Sequence, residues 1–170
     1  MSRSANEVEM ITLKACRGFG LPLAQAQDVA QAVSCQSVPG VFGELIEILN
    51  APVCKPMTVS DGLVFDAHIL RDLPGLADAV LAGAGPFVLQ ATGSVAVATS
   101  IAHWAGISCT ECELGLRLEP QVAPVEMTRC RVAICDAHWR DLEQLAAKIL
   151  VPETDETRLS GAGAGLNDND

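Results

Sequence analysis

The chain has 170 residues, of which 49% are hydrophobic and 19% are charged, so it can bury a core without help from a metal or a disulfide. Its 21 acidic and 11 basic residues give a formal net charge of −10. Nucleic acids and anionic membrane surfaces both attract proteins through Lys and Arg, so this charge argues against either as a partner. We therefore expect neither a nucleic acid nor a membrane among its partners.

The first fifty residues predict three amphipathic helices. Ser4 and Glu7 form an S-x-x-E capping box, and apolar residues then recur at helical spacing as far as Gly18 and Gly20, which are predicted to end the first helix. Two more helices follow, separated by a break at residues 37–40. The predicted inward-facing residues are Val8, Ile11, Ala15 and Phe19, then Leu23, Ala26, Ala30 and Val33, and finally Val41, Leu45, Ile48 and Leu49.

Short strands and helices are predicted to alternate in the middle of the chain. The predicted strands are 57–59, 63–65 and 87–89, and the predicted helices are 74–81, 94–105 and 137–150. No charged residue occurs between Ala79 and Thr110, which raises the alternative of a membrane span. Because Gly83, Gly85 and Pro86 interrupt this stretch, a buried strand followed by a buried helix is the preferred interpretation.

Alternation of apolar and polar residues predicts an antiparallel hairpin after the uncharged stretch. Its strands would be Glu111–Glu119 and Val125–Cys135. In the predicted register Glu113 faces Arg131 and Leu114 faces Cys130, so acid meets base and apolar meets apolar.

These elements predict an α+β fold with an N-terminal helical layer, a small mostly antiparallel sheet with covering helices, and an extended C-terminal arm. Residues 1–150 would form one α+β domain, helical over 1–50 and mixed over 51–150, and residues 151–170 would form the Gly-rich acidic arm.

The cysteine spacing raises a zinc hypothesis. Cys109 and Cys112, together with Cys130 and Cys135, could supply four thiolates. In a strand, however, residues three or five apart lie on opposite faces. The preferred alternative is that Cys112 and Cys130 are small buried apolar residues. Neither a metal nor another cofactor is predicted.

Two histidines occupy similar positions in a faint internal repeat. The similar segments are Phe65–Leu73 and Cys135–Leu142. Asp66 and Asp136 are predicted to cap the helices that follow, which would place His68 and His138 near the helix starts. A chance similarity of strand-to-helix joints is the preferred explanation, but both histidines are candidate binding residues.

The C-terminal arm has neither helical nor strand periodicity. It holds five acidic residues and one basic residue, which contribute −4 of the net charge of −10. Glycine lets a backbone lie close to another surface, and carboxylates accept hydrogen bonds from Arg, so we expect the arm to dock rather than remain a disordered tail. The candidate binding residues are Arg17, which would pair with the arm's carboxylates, and Arg158, Ser160, Gly161, Gly163, Gly165, Asp168, Asp170, His68 and His138.

Two motifs stand at the ends of the chain. Asn6-Glu-Val-Glu9, Lys14-Ala15 and Arg17-Gly-x-Gly20 open it, and Ser160-Gly-Ala-Gly-Ala-Gly-Leu-x-Asp-Asn-Asp170 closes it. Both resemble the ends of an uncharacterised bacterial family that is known only as a domain of unknown function. The resemblance implies a bacterial, cytoplasmic protein in a metabolic context, and it brings no catalytic residue, cofactor or substrate.

The sequence has no G-x-S-x-G elbow, no Walker loop and no H-x-x-x-H pair, so an enzyme is not the favoured interpretation. We expect a small cytoplasmic accessory or assembly protein that acts through its docked arm, as a homodimer and with a possible partner enzyme. Deleting Gly161–Asp170 should then change the oligomeric state or the partner contact. The alternatives are a small metabolic enzyme or ligand-binding protein whose pocket the arm closes, and a Cys-ligated zinc protein. The N-terminus lacks the apolar segment of a secretory signal, which predicts the cytoplasm.

Overall fold

The computed structural model describes residues 2–35, 38–51, 55–90, 94–121 and 131–149. Within these ranges the chain has the α+β fold expected from the sequence. The helices are α1 (Ala5–Phe19), α2 (Leu23–Cys35), α3 (Val41–Asn50), α4 (Ile69–Leu81), α5 (Val95–Trp104) and α6 (Asp136–Ala147). The strands are β1 (Ser2–Arg3), β2 (Thr58–Ser60), β3 (Leu63–Phe65), β4 (Phe87–Leu89), β5 (Ile107–Cys112), β6 (Gly115–Pro120) and β7 (Val132–Ala133).

The larger sheet has the strand order β2-β3-β4-β6-β5, and it is antiparallel except where β3 pairs with β4. Helices α4 and α5 pack against it, and the strands bury Val64, Leu89, Leu116 and Leu118. The small mostly antiparallel sheet with covering helices is therefore confirmed. The predicted turn at Ser60–Gly62 is also confirmed, because it joins β2 to β3.

Helices α1 and α6 lie side by side and run in the same direction. At one end the Arg3 guanidinium lies 4.3 Å from the centroid of the Trp139 ring. At the other end a β-carbon on Gly18 would collide with the carbonyl oxygen of Leu145. Gly18 is therefore a packing residue inside α1, and only Gly20 ends the helix, with φ at 105°.

The first helix begins as predicted. The Ser4 hydroxyl accepts a hydrogen bond from the Glu7 amide at 3.2 Å, and the Glu7 carboxylate accepts one from the Ser4 amide at 2.8 Å. This reciprocal pair is the capping box, and it satisfies two amides that the helix itself cannot bond.

Both predicted aspartate caps are wrong. The N-cap of α4 is His68, whose amide donates to the Asp72 carboxylate at 2.8 Å, and Asp66 lies earlier with φ at 56°. The predicted start at Pro74 is also wrong, because the buried Ile69 and the residues after it are already helical.

The N-cap of α6 is Cys135 rather than Asp136. Its Sγ accepts a hydrogen bond from the His138 amide at 3.4 Å, and Asp136 is the first helical residue. A thiol is a weaker acceptor than the hydroxyl or carboxylate that usually caps a helix.

The predicted hairpin has the wrong partners. Strand β6 pairs with β5 through a turn at Glu113–Leu114, so that Cys112 lies opposite Gly115. The turn suits Gly115, which has φ at 135° and approaches the Leu89 carbonyl so closely that a β-carbon would collide with it.

Strand β7, which lies within the described part of the predicted second strand, pairs with β1 instead. Arg131 does not face Glu113, since its guanidinium donates to the hydroxyl and the carbonyl of Ser2 at 3.0 and 2.7 Å. Cys130 lies outside the described residues.

None of the helices in the described ranges has both the length and the hydropathy of a membrane-spanning segment. The uncharged stretch from Ala79 to Thr110 contains β4 and α5, the buried strand and buried helix that the sequence predicts.

Candidate functional site

Helices α3 and α6 pack in parallel, with their N-terminal ends together. In the first turns, the His138 ring lies beside Gly43, and an ideal β-carbon on Gly43 would be 3.5 Å from the ring's Cε1. Toward the other ends of the helices, Asn50 and Lys148 border one shared cavity of about 320 Å³. A second cavity lies at the paired N-terminal ends.

This N-terminal cavity has a volume of about 220 Å³. It is formed by the segment that enters α3 and by the segment that runs from β7 into α6. Its lining residues are Val38, Pro39, Gly40, Val41, Phe42, Gly43, Val132, Ala133, Ile134, Cys135 and His138. The lining is therefore mostly apolar, and its two functional side chains are the Cys135 thiol and the His138 imidazole.

The N-terminal end of α3 carries backbone donors with no acceptor in the described part of the chain. Its N-cap is Gly40, which has φ at 82° and has no side chain to cap the helix. The Val41 amide donates a hydrogen bond to the Val38 carbonyl at 3.3 Å, and the Glu44 amide donates one to the Gly40 carbonyl at 3.1 Å. Among the described residues, no such bond engages the amides of Phe42 and Gly43, the second and third helical residues.

Glu44 is the acidic residue in the first turn of α3, but it serves another helix. Its carboxylate accepts a hydrogen bond from the Val97 amide of α5 at 3.0 Å. The N-cap residue of α5, Ser94, makes no side-chain cap bond. The carboxylate of Glu44, which is distant in sequence, therefore caps α5 in its place.

The N-terminal end of α6 presents a reactive residue type to solvent. The Cys135 thiol is exposed, and His138 is partly buried with its ring toward Gly43. Asp136 supplies one negative charge in this first turn.

The electrostatics of this arrangement favour an anion. Each helix carries a partial positive charge at its N-terminal end, and two parallel neighbouring helices bring two such ends together. Backbone amides at a helix start bind phosphate, sulfate and carboxylate groups for the same reason. Among the described lining residues there is neither Lys nor Arg, so His138 is the only side chain there that can carry a positive charge.

The structure separates the two candidate histidines. The ring of His68 stacks on that of Phe19, the last residue of α1, with 5.3 Å between the ring centroids. His138 lies next to Trp139, which contacts Arg3 just before α1 begins. Because a helix of 15 residues spans roughly 22 Å, the two histidines do not share a site.

His68 has a structural environment of its own. Both ring nitrogens are buried without a hydrogen-bond partner in the described part of the chain. Burial, assisted by the nearby Arg71 guanidinium, lowers the pKa of His68 below its usual value.

The other candidate residues concern the arm. Arg17 donates to the carbonyl of Leu21 at 2.6 Å, at the end of α1 remote from the N-terminal cavity. Arg158, Ser160, Gly161, Gly163, Gly165, Asp168 and Asp170 all lie outside the described residues. Docking of the arm and its pairing with Arg17 stay predictions.

Cys109 and Cys112, the first two thiols of the zinc hypothesis, differ in their exposure to solvent. Cys109 is buried, and desolvation raises its pKa to about 11, whereas Cys112 is exposed at the end of the same strand. Within the described ranges, no three His, Cys, Asp or Glu side chains are grouped closely enough to hold a metal ion. Cys130 falls outside these ranges, so the four-thiolate site as a whole stays a prediction.

Sequence reasoning did not identify most of the N-terminal cavity. The sequence predicts only a helix break at residues 37–40, and it predicts Cys135 as the end of a strand and a possible zinc ligand; His138 is the one cavity side chain that it predicts as a binding residue. The available signal was a Gly-containing break before one helix and a Cys-x-x-His start to another, but nothing local indicates that these two helix starts meet.

No family model, curated protein or solved structure matches the chain. The assignment of a function to the N-terminal cavity therefore depends on its geometry and chemistry.

Proposed function

We propose that the protein binds a small carboxylate ligand in the N-terminal cavity. The observation that carries this proposal is the parallel packing of α3 and α6, which directs two positive helix ends and His138 at one mostly apolar space.

The ligand's carboxylate would accept hydrogen bonds from the amides of Phe42 and Gly43 and from the imidazole of His138. Its hydrocarbon part would contact Val41 and Ile134, which also line the cavity. Drug-sized ligands usually occupy roughly 300–1,000 Å³, and a volume of about 220 Å³ suits a smaller molecule.

A monocarboxylate fits this cavity better than a phosphate group. Phosphate sites commonly add Arg or Lys, and no such side chain is among the described lining residues. Transfer of a doubly charged group into a mostly apolar cavity without a cation carries a large desolvation cost.

Calorimetric titration with butyrate tests the proposal. Butanol is the uncharged ligand of matched shape, and inorganic phosphate is the alternative anion. We expect saturable binding of butyrate alone. Substitution His138→Phe keeps a ring but removes its N–H, and it should weaken butyrate binding roughly tenfold or more, since a charge-assisted hydrogen bond contributes about 1.5–3 kcal/mol.

The matched control is His103→Phe, which alters a histidine of α5 that does not line the cavity. It should leave butyrate affinity unchanged. Absence of butyrate binding, equal affinity for butanol, or equal loss in both histidine variants contradicts the proposal.

A further inference from the structure

We infer that the C-terminal segment Gly165–Asp170 of the same chain occupies the N-terminal cavity in the unliganded protein and competes with the carboxylate ligand. This inference rests on the proposed function because it assigns a regulatory occupant to the same cavity. Three properties of the chain support it: reach, charge and shape.

The segment can reach the cavity. The described chain ends at Ile149, just after α6, and the cavity lies at the opposite end of this helix of 12 residues, roughly 18 Å away. From Ile149 to Leu166 there are 166 − 149 = 17 residues, which span up to roughly 56 Å when extended. The connection is therefore about three times longer than the distance requires.

The charges are complementary. Asp168 and Asp170 are both acidic, and the arm from 151 to 170 has a formal charge of −4. The cavity has two positive helix ends and no acidic side chain among its described lining residues, since Asp136 in the first turn of α6 does not line it. The alternative partner, Arg17, already donates to the Leu21 carbonyl.

The segment also has the chemical pattern proposed for the ligand. Leu166 is its one large apolar residue, and the Asp168 carboxylate follows two residues later. A leucine side chain against Val41 and Ile134, with a carboxylate at the helix ends, would reproduce the hydrocarbon and the anionic group of a small carboxylate. Gly165, which has no side chain, allows the backbone to approach the lining closely.

The occupant is the same chain rather than a second copy. A segment tethered through a linker that can span the two sites has an effective concentration near the millimolar range. At micromolar protein concentrations, the tethered segment therefore outcompetes the segment of another molecule.

The exposed Cys135 thiol at the cavity provides the test. The full chain is treated with iodoacetamide, and the alkylation rate of each cysteine is followed by peptide mass spectrometry. Cys112, which is exposed at the end of β5, is the internal reference.

The test variant combines Leu166→Ser, Asp168→Asn and Asp170→Asn. If the segment fills the cavity about nine-tenths of the time, its release should raise the Cys135 rate about tenfold relative to Cys112. The control combines Asp155→Asn and Glu156→Gln, which changes the charge of the arm equally but lies outside the segment, and it should leave the rate unchanged.

An unchanged rate in the test variant, or an equal increase in the control, overturns the inference. A rate that falls as protein concentration rises also overturns it, because a second copy is then the occupant.

Addition of butyrate separates this inference from the proposed function. If both hold, butyrate slows Cys135 alkylation at lower concentration in the test variant than in the unmodified chain. If butyrate protects both proteins equally and their rates without it are the same, the ligand site stands and the inference is wrong. If the test variant reacts faster but butyrate protects neither protein, the segment docks and the proposed ligand is wrong.

Discussion

The imidazole of His138 lies beside Gly43, with its Cε1 3.5 Å from the position that a β-carbon of residue 43 would occupy. The ring therefore lies against the first turn of α3, and both residues line the N-terminal cavity.

Substitution Gly43→Ala should stabilise the fold and weaken ligand binding. The new methyl group would make ordinary van der Waals contact with His138, and alanine is favoured over glycine in a helix by up to about 1 kcal/mol. Thermal unfolding should show a rise of roughly 2–4 °C, and butyrate titration should show lower affinity.

Gly75→Ala is the matched control for this variant, because a β-carbon there meets nothing within 4 Å and Gly75 does not line the cavity. It should give a similar gain in stability with unchanged butyrate affinity. Equal affinity in the two variants would remove Gly43 from the proposed site.

Substitution Gly18→Ala should destabilise the protein. The β-carbon would collide with the Leu145 carbonyl, so α1 and α6 would have to separate. Overpacking of this kind costs about 1–3 kcal/mol, which outweighs the gain in helix propensity. Urea unfolding measures the change in free energy, with Gly75→Ala again as the control, and a Gly18→Ala variant as stable as the parent would disprove the close approach.

Substitution Thr12→Val should stabilise the protein. Thr12 is 0% exposed in α1, and its hydroxyl has no hydrogen-bond partner in the described part of the chain. Replacement by the isosteric valine removes the cost of that buried hydroxyl, a gain of about 1–2 kcal/mol in the free energy of unfolding.

Ser100→Ala is the contrasting variant, because the buried Ser100 hydroxyl donates to the Ala96 carbonyl at 2.8 Å. It should not give the same gain. If denaturant unfolding shows that Thr12→Val loses stability, the Thr12 hydroxyl has a partner and this account of α1 fails.

His68 should make the fold less stable in mild acid. Burial lowers its pKa in the folded state, so the folded protein favours the neutral ring. This contribution is complete above the unfolded pKa of about 6.5 and is lost as the pH falls below that value. The free energy of unfolding should therefore decrease between pH 7 and pH 5.

His68→Phe should flatten this part of the profile, because phenylalanine can stack on Phe19 without titrating. The nearby Asp72 does not add to the same range. Burial alone would raise its pKa, but hydrogen bonds from Arg71 and the His68 amide lower it below 3.8, so its contribution is lost only in stronger acid. An unchanged slope in the variant would show that another group titrates.

The parts of the fold that depend on neighbouring residues were predictable from sequence. The capping box of Ser4 and Glu7 and the apolar spacing that follows it determine α1 locally. The apolar spacing is less accurate in α2, where Leu23 fits the predicted apolar face but is 58% exposed. One turn of helix contains too few residues to distinguish a core position from a chance match.

The hairpin was mispredicted because alternation continues through a two-residue turn. Cys112, Leu114, Leu116 and Leu118 keep a period of two, yet Leu114 is exposed in the turn, and Cys112 lies opposite Gly115 and away from the face of Leu116. Periodicity cannot locate such a turn when no Asn-Gly or Asp-Gly signal marks it.

The cavity was not predictable because it depends on which helices meet. Gly40 and Cys135 are far apart in sequence, and each alone indicates only a helix start. Parallel packing of α3 against α6 is a tertiary property, and no local pattern around either residue encodes it.

The most direct test of the carboxylate site is an amide NMR titration of the ¹⁵N-labelled full chain with butyrate, using the Leu166→Ser, Asp168→Asn, Asp170→Asn variant alongside it. If butyrate binds in the N-terminal cavity, the Phe42 and Gly43 amides should show saturable shifts, reached at lower butyrate concentration in the variant, and the β2 amides should be unaffected. Shifts centred elsewhere, or no shift at Phe42 and Gly43 in either protein, would contradict binding in this cavity.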